Sequence, residues 1–244
     1  MAHLGQHAVV IGASMGGLMA SRVLADHYEK VSVLERDALP ITHEHRKGVP
    51  QGSHAHGLLA RGREILDQLF PGLSEEMVAQ GAFYGDVVDE VLWFNYGVYL
   101  SNVRSALQGL LISRPMLENS VRQRLLQLPN VQLQEEVDVL EPVCDRDEGR
   151  VTGVRVRGAG GINTISADFV ADASGRGSRS PAWLDALGYD KPREESIPVN
   201  IGYMTRLYRR QPEHLSGKQA VILGACQPDG GLGSFWHKST TAGS

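Results

Sequence analysis

Three residue types in this chain are grouped as an anion-binding turn would need them: small residues at a bend, a carboxylate beyond it, and arginines at later junctions. Gly12, Ser14, Met15, Gly16 and Gly17 follow the apolar run Val9-Val10-Ile11, and Glu35 closes a second apolar run, Val31-Ser32-Val33-Leu34. Gly12 permits a sharp turn there. With little side-chain bulk, backbone N–H groups at a helix N-terminus approach phosphate oxygens, while Gly17 lets helix and strand pack closely. An acid ending the second strand accepts hydrogen bonds from a ribose. A carboxylate also favours a free 2′-hydroxyl, so FAD or NAD fits better than NADP.

Ser14 stands where the usual pattern has its middle glycine, and its hydroxyl is tolerated if it faces the anion. Arg46 lies in a long polar loop, Ile41 to His56, that leaves the second strand beside the ribose position. It is expected to reach a phosphate with two charge-assisted hydrogen bonds. Arg114 sits at a strand-to-helix junction and adds a full charge to the partial charges of helix N-termini. Arg36, directly after the acid, and Gln51, in the polar loop, join the candidate cofactor-binding set. Asp172 ends a later strand at the edge of Gly12 and is expected to organise the second turn, or approach the cofactor, by accepting backbone N–H groups. His43, His45, His54 and His56 form two pairs at a spacing of two. Apart from Glu44 nothing completes a coordination shell, so no metal is expected, and His54 and His56 read as polar lining.

These residues require a frame. The opening stretch reads as strand, tight turn, helix and second parallel strand. A helix follows from Gly57 to Phe70, ended by Pro71-Gly72, then a shorter one from Ser74 to Gln80 with Ser74 as its cap. Tyr84 to Val103 is rich in Val, Tyr, Trp and Phe and predicts two or three antiparallel strands with a turn at Tyr96-Gly97. Leu110 to Ile112 predicts a short strand, and Ser113 caps a helix with the stripe Leu117, Val121, Leu125 and Leu128. Val131 to Ile165 reads as a β-meander covering one face of the parallel sheet. A strand from Ala167 then enters a second glycine turn and a helix from Pro181 to Leu187. Val199 to Tyr208 and Gln219 to Leu223 read as strands, and Gly224 onward has no periodicity.

The chain has 244 residues and a net charge of −4 with its basic residues dispersed, so a nucleic-acid footprint is missing. Cys144 and Cys226 are far apart and without a partner motif. Both read as ordinary buried or half-buried thiols in a reducing cytoplasm. No apolar run reaches membrane-spanning length, and the N-terminal run reads as core rather than signal peptide.

Taken together, the chain resembles the FAD-dependent monooxygenases related to the single-component aromatic hydroxylases. Within that group it looks most like bacterial flavoprotein epoxidases and hydroxylases acting on polyketide or polyether substrates. The resemblance rests on Gly12-Ala13-Ser14-Met15-Gly16-Gly17 with Glu35, and on Arg46-Lys47-Gly48-Val49-Pro50-Gln51 with His54-Ala55-His56. It rests also on Ser113-Arg114-Pro115-Met116-Leu117 and on Asp172-Ala173-Ser174-Gly175-Arg176-Gly177-Ser178. It implies an α/β, Rossmann-like FAD-binding fold with a parallel sheet and β-meander, plus part of an antiparallel substrate-domain sheet. Residues 1–80 and 106–190 would form a discontinuous FAD-binding domain, 81–105 and 196–225 an incomplete substrate sheet, and 226–244 an irregular tail. Glu35 would hold the adenosine ribose, Arg46 and Arg114 would contact ribose, pyrophosphate or ribityl, and the backbone at Val137 would meet the adenine. The family's Asp-Gly element appears as Ala173-Ser174-Gly175, without an acid before the glycine.

In such enzymes NADPH reduces FAD, and a flavin hydroperoxide delivers one atom of dioxygen to an apolar organic substrate. The flavin carries that chemistry, so no catalytic acid or base is assigned. Family members continue beyond this point with more sheet, then a Gly-Asp segment and helix. The chain therefore reads as a truncated copy whose unfinished sheet invites self-association. Two other readings stay open: a non-catalytic fragment binding FAD or adenine nucleotides, and an NAD-dependent dehydrogenase. The meander weighs against the second, because simple nicotinamide-binding domains use helical crossovers there.

Overall fold

The structure is a computed structural model that describes residues 4–46, 48–145, 147–199, 202, 204–206, 211 and 214–223, with the backbone alone of 235–236. Uninterrupted apolar runs become buried parallel strands: β1 (Gly5–Ile11) and β2 (Tyr28–Leu34) flank α1 (Met15–Ala25). The chain continues through β3 (Gly57–Leu58), α2 (Ala60–Leu69), α3 (Leu73–Ala79), β4 (Phe83–Asp86), β5 (Val91–Asn95), β6 (Val98–Tyr99), β7 (Gln108–Leu111) and α4 (Arg114–Leu125). There follow β8 (Val131–Gln134), β9 (Asp138–Asp145), β10 (Arg150–Gly158), β11 (Gly161–Ser166), β12 (Phe169–Asp172), α5 (Ser180–Ala186), β13 (Ala220–Leu223) and β14 (Phe235–Trp236). The chain divides into two compact units, Met1–Ile41 with Val121–Ile201, and Thr42–Ser120 with Gly202–Ser244.

In the first unit four parallel strands run in the order β12-β1-β2-β8. Register sets Ile11 beside both Leu34 and Asp172, so Gly12, Glu35 and Ala173 each lie one residue beyond the same row. The antiparallel sheet β11-β10-β9 covers this sheet, with Val139, Val154 and Val156 packed among Val9, Ile11 and Leu34. Each fully buried Val or Leu contributes about 1.5–3 kcal/mol of burial free energy. The expected meander therefore exists, but without Val131 to Leu133. That run pairs with β2 as the parallel edge strand, because its register partners lie a hundred residues earlier, where local pattern does not reach.

The second unit holds the antiparallel sheet β3-β7-β4 and the mixed sheet β14-β13-β5-β6. Tyr84 to Val103 thus feeds two sheets: β4 pairs with β7, while β5 and β6 form a hairpin closed by Tyr96 (φ 51°) and Gly97 (φ 87°). Two successive positive φ values match the strand twist of a two-residue hairpin. Within an otherwise antiparallel expectation, β13 pairs with β5 in parallel. The first helix begins at Ala60, since Gly57 and Leu58 join β7. Ser74 does not cap α3; Gly72 does so in the left-handed region, and Asp67 accepts the Ser74 N–H at 3.1 Å. Ser113 does cap α4, accepting the Met116 N–H at 3.3 Å.

Val199, Gly202, Met204, Thr205 and Arg206 form no strand, against the expectation for Val199 to Tyr208; the other residues of that run lie outside the described set. So do Lys47, Cys226 and, apart from the backbone of 235–236, which forms β14, the run from Gly224 onward, while Cys144 is a half-buried free thiol. Among the described residues no helix is long and apolar enough to cross a membrane.

Candidate functional site: a glycine turn and two arginine junctions

Gly12 leaves β1 with φ +97°, and a Cβ there would stand 2.7 Å from the Ala173 carbonyl oxygen. Gly17 is closer still to its neighbour: its Cβ would lie 1.8 Å from the Gly12 carbonyl oxygen. Helix and strand can pack this way only on glycine. Between them Ser14 takes extended backbone as the N-cap residue, its carbonyl accepting the Leu18 N–H at 2.9 Å, while its hydroxyl makes no capping bond. The amides of Met15, Gly16 and Gly17 form the first turn, where helix geometry offers no intrahelical acceptor. No acidic side chain lies in that turn. Gly16 is exposed, and the nearest atom to a Cβ there is 4.0 Å away. The result is a shallow cradle of N–H groups at a positive dipole end.

Glu35 closes the cradle. It is 7% exposed, its Oε2 accepts the Ala13 N–H at 2.9 Å and its Oε1 the Asp37 N–H at 3.1 Å. A carboxylate has about four lone-pair sites, and these two bonds fix the orientation of its plane. The Val137 N–H donates to the Glu35 carbonyl at 2.9 Å. Arg36 points outward, with its side chain 72% exposed and 3.5 Å from Asp37.

Asp172 organises the second turn, but mostly through hydroxyls. It accepts Ser174 N–H at 2.9 Å and the hydroxyls of Ser174, Ser178 and Ser180 at 2.5 Å each. Burial by itself would raise its carboxyl pKa, and the three serine hydroxyls with the Ser174 amide outweigh it and hold the group below the ordinary range. Asp168 is lowered by the backbone N–H groups of His7 and Gln6. Asp86 in the second unit is held well below the usual range, first by the Ser105 hydroxyl and then by neighbouring amides. His7 is lowered mainly by burial.

These directions fix the acid limb of stability. A histidine lowered by folding stays neutral while the unfolded chain takes a proton, so stability begins to fall as pH drops through its ordinary value of 6.5. Depressed aspartates contribute above their ordinary value of 3.8 and lose that contribution as pH falls further. Melting temperature measured from pH 7 down to 3 is expected to decline slowly at first and steeply below about 4. Asp172→Asn lowers stability at neutral pH and flattens the steep part; an unchanged acid limb in that variant contradicts the assignment.

In the second unit the structure brings Arg46, Gln51 and Arg114 together, around a residue that sequence pattern does not single out. Arg46 Nε donates to Glu118 Oε1 at 2.9 Å, Arg114 Nη2 lies 3.5 Å from Glu118 Oε2, and Arg114 Nη1 is 3.4 Å from Gln51 Oε1. Glu118 stands four residues after Arg114, a helical ion-pair spacing that is the available signal. The polar loop carries a short 3₁₀ turn over Pro50–Ser53, and His54 Nδ1 lies 2.9 Å from the Thr205 hydroxyl. Among the described residues no three His, Cys, Asp or Glu side chains are placed to hold a metal ion.

Comparison with known proteins agrees with this geometry. The family model for the FAD binding domain matches residues 6–215. Protein Rv3254 of Mycobacterium tuberculosis (strain ATCC 25618 / H37Rv) is 39% identical over 246 residues, covering 96% of this chain and 52% of that protein. Among solved structures, PqsL, a probable FAD-dependent monooxygenase from Pseudomonas aeruginosa, superposes with a TM-score of 0.57 at 19% identity, over 79% of this chain and 48% of that one. The p-nitrophenol 4-monooxygenase PnpA from Pseudomonas putida DLL-E4 gives 0.57 at 20% identity, over 75% and 44%. The chain spans about half the length of the relatives it matches. A glycine-lined helix N-terminus closed by a buried carboxylate fits the diphosphate and ribose of FAD, and with the family model spanning most of its residues the chain belongs to the FAD-binding-domain family of flavoproteins.

Proposed function

We propose that the chain serves an FAD-dependent monooxygenase that takes electrons from NAD(P)H and hydroxylates or epoxidises an apolar organic molecule with dioxygen. The observation that carries this is the pairing of the dinucleotide turn with an antiparallel sheet laid on the parallel one, the plan of the monooxygenase folds it superposes on. Bound FAD supplies the redox chemistry. The chain's residues bind and orient it. The amides at Met15 to Gly17 receive the diphosphate between Gly12 and Ser14, Glu35 takes the adenosine ribose, and Val137 offers its carbonyl to the adenine. Asp172 fixes the second turn, while Arg36, Arg46, Gln51 and Arg114 contact the charged and polar parts of the nucleotide. In the same reading 1–80 with 106–190 bind the cofactor, 81–105 with 196–225 belong to the substrate sheet, and the chain self-associates through that sheet. A cytoplasmic setting accords with two widely spaced cysteines.

The test is direct. Purified protein is expected to be yellow, to oxidise NADPH with uptake of oxygen, and to transfer label from isotopic dioxygen into an apolar aromatic or alkene acceptor. A colourless protein that binds adenine nucleotides without flavin would make the non-catalytic reading the correct one.

A further inference from the structure

We propose that Glu118 is a positioning residue, a single buried carboxylate that holds Arg46 and Arg114 side by side so that both guanidiniums face one anionic ligand. The inference rests on the reading of FAD as that ligand. The side chains of Arg46, Arg114 and Glu118 are 10%, 14% and 6% exposed. Two guanidiniums this dry repel each other strongly, because low dielectric magnifies like-charge energy as well as attraction. Glu118 divides its oxygens between them, Oε1 to Arg46 and Oε2 to Arg114, and leaves the trio with one net positive charge.

The carboxylate is itself held rigidly. It sits on α4 behind the Ser113 cap, and the next residue, Asn119, reaches the Thr42 carbonyl at 3.5 Å, which anchors the start of the loop carrying Arg46. Arg122, one turn further, binds the Pro40 carbonyl. Glu118, Asn119 and Arg122, all buried in the middle of α4, spend their polar side chains on the segment between Pro40 and Arg46. Burying a polar group is costly unless it is partnered, and a fixed partner is what orients a guanidinium.

A role in orientation predicts something that charge balance alone does not. Glu118→Gln raises the trio's charge by one, so simple electrostatics gives tighter FAD binding. Positioning gives weaker binding, because glutamine offers one acceptor and turns an NH2 toward the other arginine. Glu118→Asp keeps the charge but is one methylene short of spanning both arms, so it too binds weakly. The measurement is the FAD dissociation constant of the full chain from quenching of flavin fluorescence, with the thermal midpoint followed in parallel.

Glu118→Gln and Arg46→Lys are each expected to weaken FAD by about tenfold or more, the loss of one charge-assisted hydrogen bond. The double variant is expected to be little worse than Glu118→Gln alone, since that change already breaks the contact that orients Arg46. Glu118→Gln that binds FAD as tightly as the parent, or tighter, overturns the proposal, as do additive effects. If Glu118→Gln does not fold, the cycle of Arg46→Lys with Arg114→Lys decides it: coupled effects support a shared carboxylate and additive effects overturn it. A parent chain that binds no FAD overturns the cofactor reading beneath the proposal. FAD binding insensitive to Glu118 leaves that reading standing and removes only the positioning role.

Discussion

Gly17→Ala is expected to destabilise the first unit by about 3 kcal/mol or more and to abolish flavin binding, while Gly16→Ala leaves stability within about 1 kcal/mol of the parent. The residues are adjacent in sequence and differ only in what surrounds them. A Cβ on Gly17 would lie 1.8 Å from the Gly12 carbonyl oxygen and 2.8 Å from its carbon. Both atoms are backbone, so no rotamer change relieves the overlap. Relief requires α1 to move away from β1, which pulls Leu18, fully buried, out of its packing and dissolves the cradle. On Gly16 the nearest atom is 4.0 Å away, and alanine gains helix propensity. Melting followed by circular dichroism distinguishes the two. A shift of roughly 2–4 °C per kcal/mol puts Gly17→Ala at least about 6–12 °C below the parent. Equal melting temperatures for the two variants would falsify the packing argument. Should Gly16→Ala fold normally but bind FAD weakly, the added methyl obstructs the ligand, not the fold.

Elements whose partners are close in sequence, or whose burial is complete, are legible in the residues alone. β1, α1 and β2 are one apolar run, a glycine turn and a second run, and their packing needs little more than the period of the residues. The Ser113 cap and the Tyr96-Gly97 turn are equally local, being single residues with distinctive backbone or side-chain requirements. What pattern cannot reach depends on distant partners. Val131 to Leu133 alternates like the meander strands that follow, and only its register on β2 assigns it to the parallel sheet. β4 and β5 look like neighbours in one sheet but pair with β7 and β13.

The same limit applies to the candidate site. Ser74 has the composition of a cap, yet Gly72 and Asp67 take that role, because a left-handed glycine and a carboxylate seven residues back satisfy the first turn better. Glu118 escapes pattern because a charged residue on a helix with a clear apolar stripe reads as solvent-facing. Here the stripe is only part of a helix buried nearly all round. The serines at 178 and 180 escape it for a related reason: their hydroxyls gain meaning only once a turn brings them back onto Asp172.

Removing the carboxylate at position 35 is expected to produce two separable losses, and comparing alanine with glutamine tells them apart. Glu35 holds the Ala13 and Asp37 amides, and Ala13 is fully buried. Glu35→Ala strands that buried N–H, at a cost of about 1–3 kcal/mol, and loosens the turn on which the diphosphate rests. Glu35→Gln keeps an acceptor for Ala13 and loses only the Asp37 bond, so its melting temperature should fall less than that of Glu35→Ala. Its second terminal atom becomes an NH2, a donor where a ribose diol needs an acceptor, and where Asp37 already donates. FAD affinity is therefore expected to fall by about tenfold to a hundredfold in Glu35→Gln, with a smaller loss of stability than in Glu35→Ala. In Glu35→Ala both should fall. Flavin fluorescence titration beside thermal melting reads the two quantities on one sample. If glutamine binds FAD as well as glutamate does, the carboxylate serves the turn alone and the ribose is held elsewhere. Loss of stability without loss of affinity in the alanine variant points the same way, since a ligand held through this acid cannot ignore its removal.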